Sequence, residues 1–132
     1  RPGSATSTIF PKRVTTALRN PHVTILGHPT GRLLGQRDAH PIDLTEIIKV
    51  AREEGKALEL NAQPDRLDLS EHPLREARAA GVMIAIDSDA HDAASLSFVP
   101  RFGAGAARRG WVGPNQVLNA LPLAELMKRL HP

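Results

Sequence analysis

Three side chains with metal-binding chemistry follow two apolar runs of the sequence. His28 follows the run Val23–Leu26, and Asp89 and His91 follow the run Val82–Ile86. Parallel strands present catalytic groups at their carboxyl ends, so two such runs would bring these side chains to one rim of a sheet or barrel. Carboxylate oxygen and imidazole nitrogen together suit Zn, Mn or Fe. The pattern indicates a metalloenzyme site that has fewer ligands here than a complete site needs.

Each motif also has a purely structural interpretation. Asp89 could cap a following helix while His91 faces solvent, and an isolated histidine such as His28 is more often structural than a ligand. The two motifs support each other because each ends a predicted strand, and the two strands are expected to be neighbours. Metal binding and structural roles therefore both stay open at this point.

Other polar side chains near the predicted strand ends could contact a substrate. Arg32 and Arg66 could bind phosphate, since a guanidinium pairs with phosphate oxygens in a bidentate manner, although most arginines are simply solvated. Asn61 ends the middle predicted strand and could bind substrate or a loop backbone. Glu59, two residues earlier, shares its face and could be paired or catalytic. Asp87 could orient a ligand.

The chain alternates between strand and helix patterns from residue 12 onward. Residues 1–11 are predicted to be a tail or linker. Capping signals define two helices, from Asp43 to Gly55 and from Ser70 to Gly81. The remaining predicted elements are strands over 23–26, 57–61 and 82–86, helices over 12–19 and about 93–109, and closing helical turns over 115–118 and 123–130.

This order predicts an α/β fold with about three parallel strands, right-handed crossovers and flanking helices. Three strands do not close a barrel, and an exposed apolar edge favours aggregation. The chain is therefore expected to be part of a larger barrel or sheet that other residues complete.

Composition narrows the class of protein. The 132 residues suit one domain, and 41% are hydrophobic. No apolar run approaches the roughly 20 residues that span a bilayer, and cysteine is absent, which together favour a cytoplasmic protein without a membrane partner. The net charge of +3 suits a partner with phosphates. With 3% aromatic residues, a base-stacking platform for single strands is not expected.

Several extended strings resemble one protein family. The string PHVTILGHPTGRLLG over 21–35 closely resembles the PHP (polymerase and histidinol phosphatase) domain of bacterial family X DNA polymerases. So do LELNA over 58–62, RLDL over 66–69, DSDAH over 87–91 and AARRGW over 106–111. The resemblance covers roughly residues 12–130, and the GHPTGRLLG string is its most specific part.

The resemblance implies a fold, a chemistry and partners. It implies that residues 12–132 are the C-terminal segment of a distorted (βα)7 PHP barrel, which holds up to three divalent Mn or Zn ions when complete. It implies phosphoesterase chemistry, linked in these polymerases to 3′–5′ exonuclease activity and DNA repair. By position, His28, Asp89 and His91 match family ligands and would be metal-binding and catalytic, while Arg32, Asn61 and Arg66 are the substrate contacts expected from their place near the strand ends. The implied partners are DNA, an upstream polymerase and the N-terminal PHP segment.

Departures from the family pattern leave two alternatives. The family's opening His-x-His, its next histidine and its bridging glutamate have no counterpart, and no histidine occurs over 6–10, where a further ligand would fall. The fragment alone is therefore expected to be inactive. The chain could be a degenerate PHP module that scaffolds a polymerase or binds DNA. It could also be a free-standing small-molecule phosphatase, although the GHPTGRLLG string favours the polymerase branch.

Overall fold

A computed structural model describes residues 5–38 and 44–131, with side chains from residue 11 onward. The described elements follow in the order α1 (Ala5–Leu18), β1 (Ile25–Leu26), α2 (Leu44–Glu53), β2 (Ala57–Asn61), α3 (Glu71–Ala80), β3 (Ile84–Asp87), α4 (Ala104–Arg109) and α5 (Leu123–Leu130). None of the described helices is long and apolar enough to cross a membrane.

The three strands form a parallel sheet in the order β1-β2-β3. Ile25 of β1 pairs with Ala57 of β2, and Asn61 at the end of β2 pairs with Asp87 at the end of β3. The predicted α/β fold with parallel strands is thus confirmed. The described strands make an open sheet, and its completion into a (βα)7 barrel stays a prediction.

Alternating side chains give the sheet two different faces. On one face, apolar side chains of β2 and β3 pack against α2 and α3 and form the main core. The strand residues in this core are Leu58, Leu60, Ile84 and Ile86. On the other face lie Ala57 and Ala85, which pack with Met83, Leu118 and partly buried leucines of α5. Glu59 and Asn61 share that second face with Ala57, so β2 points its polar side chains away from the main core.

The C-terminal segment covers the outer edge of β3. Val117 forms a parallel bridge with Ile84. The amide side chain of Asn119 then brackets Ile86, accepting its N–H at 3.1 Å and donating to its carbonyl at 2.8 Å. At the other edge, β2 is the sole strand partner of β1 within the described ranges. If further strands complete the sheet, as the sequence predicts, they would therefore add next to β1.

Several element boundaries differ from the predictions. The first helix begins at Ala5 rather than Lys12, so part of the segment predicted as a tail is helical, although it contains Pro11. Serine and threonine are weak helix formers, which masked the helix in the sequence. The first and third strands are shorter than predicted, at Ile25–Leu26 and Ile84–Asp87.

The single helix predicted over about 93–109 is three consecutive helical segments. A 3₁₀ turn over Ala94–Ser97 is followed by a π-helical turn over Val99–Gly103 and then by α4. Pro100 lacks an N–H for the helical ladder, which favours a change of helix type at this point.

The glycine caps agree with the predictions, and the serine cap agrees in part. Gly55 and Gly81 have φ values of 65° and 77°, in the left-handed region that ends helices. Ser70 precedes α3 as predicted, but its side chain makes no capping hydrogen bond. The predicted cap at Asp43 lies outside the described residues.

Candidate metal and phosphate site

The backbone of His28 is held in a left-handed conformation immediately after β1. Its φ is 46°, and its N–H donates to Glu59 Oε2 at 2.5 Å. Glu59 projects from the middle of β2 and is 8% exposed, while the His28 side chain is 46% exposed. The buried carboxylate thus fixes the backbone of His28 and leaves its imidazole accessible from the rim.

Asp89 has the same unusual backbone conformation beyond β3, with φ at 49°. A left-handed conformation costs a non-glycine residue about 1–2 kcal/mol. Such strain persists where the surrounding structure enforces it, and it concentrates at functional sites. Two predicted ligands therefore occupy strained positions at the same end of the sheet.

Asn61 links the two motifs, because β2 lies between the strands that carry them. The strands of His28 and Asp89 were expected to be neighbours, whereas β2 separates them. Asn61 is fully buried, and its Nδ2 lies 3.1 Å from Asp89 Oδ2 and 3.4 Å from His28 Nδ1. Its Oδ1 accepts the N–H of Gln63 at 3.0 Å. Of the two roles predicted for Asn61, bonding a loop backbone is observed in its contact with Gln63, whereas substrate binding stays a prediction.

His91 projects into solvent beside Asp89. Its side chain is 82% exposed, and its Nδ1 lies 2.7 Å from the carbonyl oxygen of Asp89. A carbonyl can only accept, so this contact requires the proton on Nδ1 and leaves the lone pair on Nε2. Ligating histidines commonly have this arrangement, in which one nitrogen donates to a carbonyl and the other faces the ion.

Negative charge is crowded below the rim. Partial desolvation, followed by a hydrogen bond and like charge from Glu59, raises the pKa of Asp87 to about 7. A hydrogen bond from the backbone of Asp89 lowers the pKa of Asp87 in part, and the charge of the Asp89 carboxylate raises it by a smaller amount. This crowding disfavours the ionised form of Asp87.

The two predicted phosphate-binding arginines have different surroundings. Arg32 donates from Nε to the carbonyl of Arg66 at 2.8 Å and from Nη2 to the carbonyl of Leu67. The Nε atom of Arg66 lies 3.9 Å from Asp89 Oδ2, and the Arg66 side chain is 20% exposed. The structure therefore brings Arg66 to Asp89 and ties Arg32 to the loop that follows β2. Substrate contact by either arginine stays a prediction.

The donor types suit a divalent ion, but the described residues do not form a complete site. Imidazole and carboxylate groups at the rim are appropriate ligands for Mn or Zn. Across 5–38 and 44–131, however, no group of three or more His, Asp or Glu side chains is close enough to hold an ion. The chain thus offers part of a ligand set of suitable chemistry.

Two interactions at this site were not predicted from the sequence. The sequence predicts that Glu59 shares a face with Asn61, but it carries no signal of the bond between Glu59 and the His28 backbone. Asp68, which fastens the loop after His28, was not recognised as a separate functional candidate. Its partners lie 37 and 38 residues away in the chain, so no local pattern indicates the contact.

Comparison with known proteins identifies relatives of this sequence. The chain matches no family model. It is 45% identical over 118 residues to the DNA polymerase/3′-5′ exonuclease PolX of Bacillus subtilis (strain 168), an alignment that covers 89% of this chain. This chain is homologous to a segment of a bacterial family X DNA polymerase. The resemblance inferred from the sequence motifs is thereby confirmed.

The chain is also similar to two probable phosphatases. It is 34% identical over 86 residues to a probable phosphatase of Thermoanaerobacter sp. (strain X514), and 30% identical over 86 residues to one of Caldanaerobacter subterraneus. Each of these alignments covers 61% of this chain. The chain spans 20% of the Bacillus polymerase and 33% of the Thermoanaerobacter protein.

The strain at His28 predicts an unusual order of stabilities. We expect His28→Gly to be more stable than His28→Ala by about 1 kcal/mol, because glycine adopts positive φ without steric cost. Both variants lack the imidazole and keep the N–H bond to Glu59, so urea denaturation compares the backbone alone. At Lys49, an exposed residue in the middle of α2, we expect the reverse order, since glycine destabilises a helix interior by about 1 kcal/mol relative to alanine. Equal stability of the two His28 variants would contradict a left-handed conformation there.

Proposed function

We propose that this chain is the C-terminal segment of a PHP-type phosphoesterase domain within a longer family X DNA polymerase. We refer to that longer polypeptide as the parent. The proposed reaction is divalent-metal-dependent hydrolysis of phosphodiester bonds at DNA 3′ ends, in DNA repair. The observation that supports this best is the fully buried Asn61, whose amide lies between His28 and Asp89 at one rim.

The proposed ligands from this chain are His28, Asp89 and His91. The parent would provide the remaining ligands, in keeping with the incomplete set among the described residues. A bound Mn or Zn ion would supply Lewis acidity and a water molecule of lowered pKa. Within this chain, Asn61 holds Asp89 in position by donating to its Oδ2, and Glu59 fixes the backbone of His28.

Arg66 is the proposed contact for the phosphate of the substrate. Its guanidinium approaches Asp89 without a short ion pair, since the Nε–Oδ2 distance is 3.9 Å. A phosphodiester oxygen would compete for this partly exposed cation, and the positive charge would offset charge that develops on phosphorus oxygens. Arg32 supports Arg66 because its Nε donates to the Arg66 carbonyl.

The similarity to probable phosphatases favours a second candidate, hydrolysis of a small phosphomonoester. We would incubate the purified parent with Mn²⁺ and two substrates, an oligonucleotide labelled at its 5′ end and p-nitrophenyl phosphate. Progressive shortening of the oligonucleotide from its 3′ end supports the exonuclease. Preference for the monoester supports the phosphatase. Absence of hydrolysis of both, with no Mn²⁺ bound, would support a non-catalytic module.

A further inference from the structure

A buried carboxylate joins the loop that follows β1 to the loop that follows β2. Asp68 is fully buried. Its Oδ1 accepts the hydroxyl of Thr30 at 2.7 Å, its Oδ2 accepts the N–H of Gly31 at 2.9 Å, and both oxygens lie 3.2 Å from the Thr30 nitrogen. A buried charge is tolerated only when hydrogen bonds replace its hydration. These donors, all from one two-residue segment, meet that requirement.

The backbone of Asp68 is itself fixed by the sheet. The N–H of Asn61, at the end of β2, donates to the Asp68 carbonyl at 2.5 Å. Beside this bond, Arg32 donates to the carbonyls of Arg66 and Leu67, and Leu67 has a positive φ of 41°. The carboxylate of Asp68 is therefore anchored to β2 and can hold the loop after β1 at a fixed distance from it.

This connection lies directly beside the strained His28. On one side, Glu59 accepts the His28 N–H; on the other, Asp68 holds the residues two and three positions later. A strained conformation relaxes unless several contacts define it. With Asp68 removed, the chain after His28 would be free to turn toward extended backbone, which would move the imidazole away from Asn61.

We propose that Asp68 is a positioning residue that fixes the left-handed backbone of His28. The role of His28 in binding metal rests on the proposed function. The positioning itself concerns the conformation of this chain alone. Thr30 is the main partner of the Asp68 carboxylate, since its hydroxyl makes the shortest hydrogen bond to that carboxylate.

The test compares two substitutions at Thr30 with Asp68→Asn. Thr30→Val keeps the shape of the side chain but lacks the hydroxyl, whereas Thr30→Ser keeps the hydroxyl. In the metal-free chain, NMR would follow the amide exchange rate and chemical shifts of His28, with Leu58 in β2 as the internal reference. We expect His28 exchange to accelerate at least about tenfold relative to Leu58 in Asp68→Asn and Thr30→Val, and to stay unchanged in Thr30→Ser.

In the parent, we expect Mn²⁺ affinity to fall about 10- to 100-fold in Asp68→Asn and Thr30→Val, as for other residues that orient metal ligands, with rescue by Thr30→Ser. Unchanged His28 signals, or equal acceleration at His28 and Leu58, would overturn the proposal. If Asp68→Asn does not fold, the comparison of His28 amide exchange between Thr30→Val and Thr30→Ser tests the proposal. A wild-type parent that binds no Mn²⁺ would refute the proposed function, while the NMR comparison would still test the positioning.

Discussion

Replacement of both His28 and Asp89 by alanine is expected to reduce Mn²⁺-dependent DNA hydrolysis by the parent more than about 100-fold. The two side chains come from opposite sides of β2 and meet at the buried amide of Asn61. Their loss removes an imidazole and a carboxylate from one proposed ligand set, so the number of ions bound per molecule should fall with activity. Metal analysis after gel filtration and a 3′-end degradation assay measure the two effects.

The matched control is His72→Ala. His72 lies on α3, its side chain is 83% exposed, and it pairs only weakly with Glu76 at 3.6 Å. Because an exposed pair of this kind contributes little to stability, metal content and hydrolysis should equal those of the wild type. A double variant that retained wild-type metal content and activity would show that this rim is not the site of hydrolysis.

Gly110→Ala is expected to destabilise the chain by about 1–3 kcal/mol, because the new side chain has no room. A β-carbon at this position would lie 2.4 Å from Leu74 Cβ and 2.9 Å from Leu74 Cδ1. Leu74 is fully buried on α3, and its Cβ is attached directly to the helix backbone. No side-chain rotation can relieve the contact, so α3 and α4 must separate. Chemical denaturation monitored by circular dichroism measures the change.

Gly113→Ala provides the control for this substitution. A β-carbon there meets no atom within 4 Å, and the residue has a φ of −94°, which alanine adopts freely. We expect a change within about 0.5 kcal/mol, as for other surface positions. If Gly110→Ala were as stable as Gly113→Ala, this result would contradict the close packing of the end of α4 against Leu74.

Local patterns in the sequence were sufficient to predict the secondary structure around the site. The second strand, Ala57–Asn61, was predicted with its observed bounds because its alternating apolar and polar residues are flanked by Gly55 and a polar loop. The helix end at Gly81 was predicted because few other residues adopt its positive φ readily. The strand-helix order then determined the parallel sheet, since each crossover helix returns the chain to the same end.

The α/β order, the identity of the candidate ligands and the family resemblance were all predictable from the sequence, because each depends on residues close together in the chain. The tertiary structure decided how those ligands are held. Glu59 binds the His28 backbone across 31 residues, and Asp68 fastens Thr30 across 38 residues. In the folded chain, Arg32 also donates hydrogen bonds to loop carbonyls and is not free at the rim. Such contacts depend on which loops the folded sheet brings together, and the periodicity of a single segment carries no information about them.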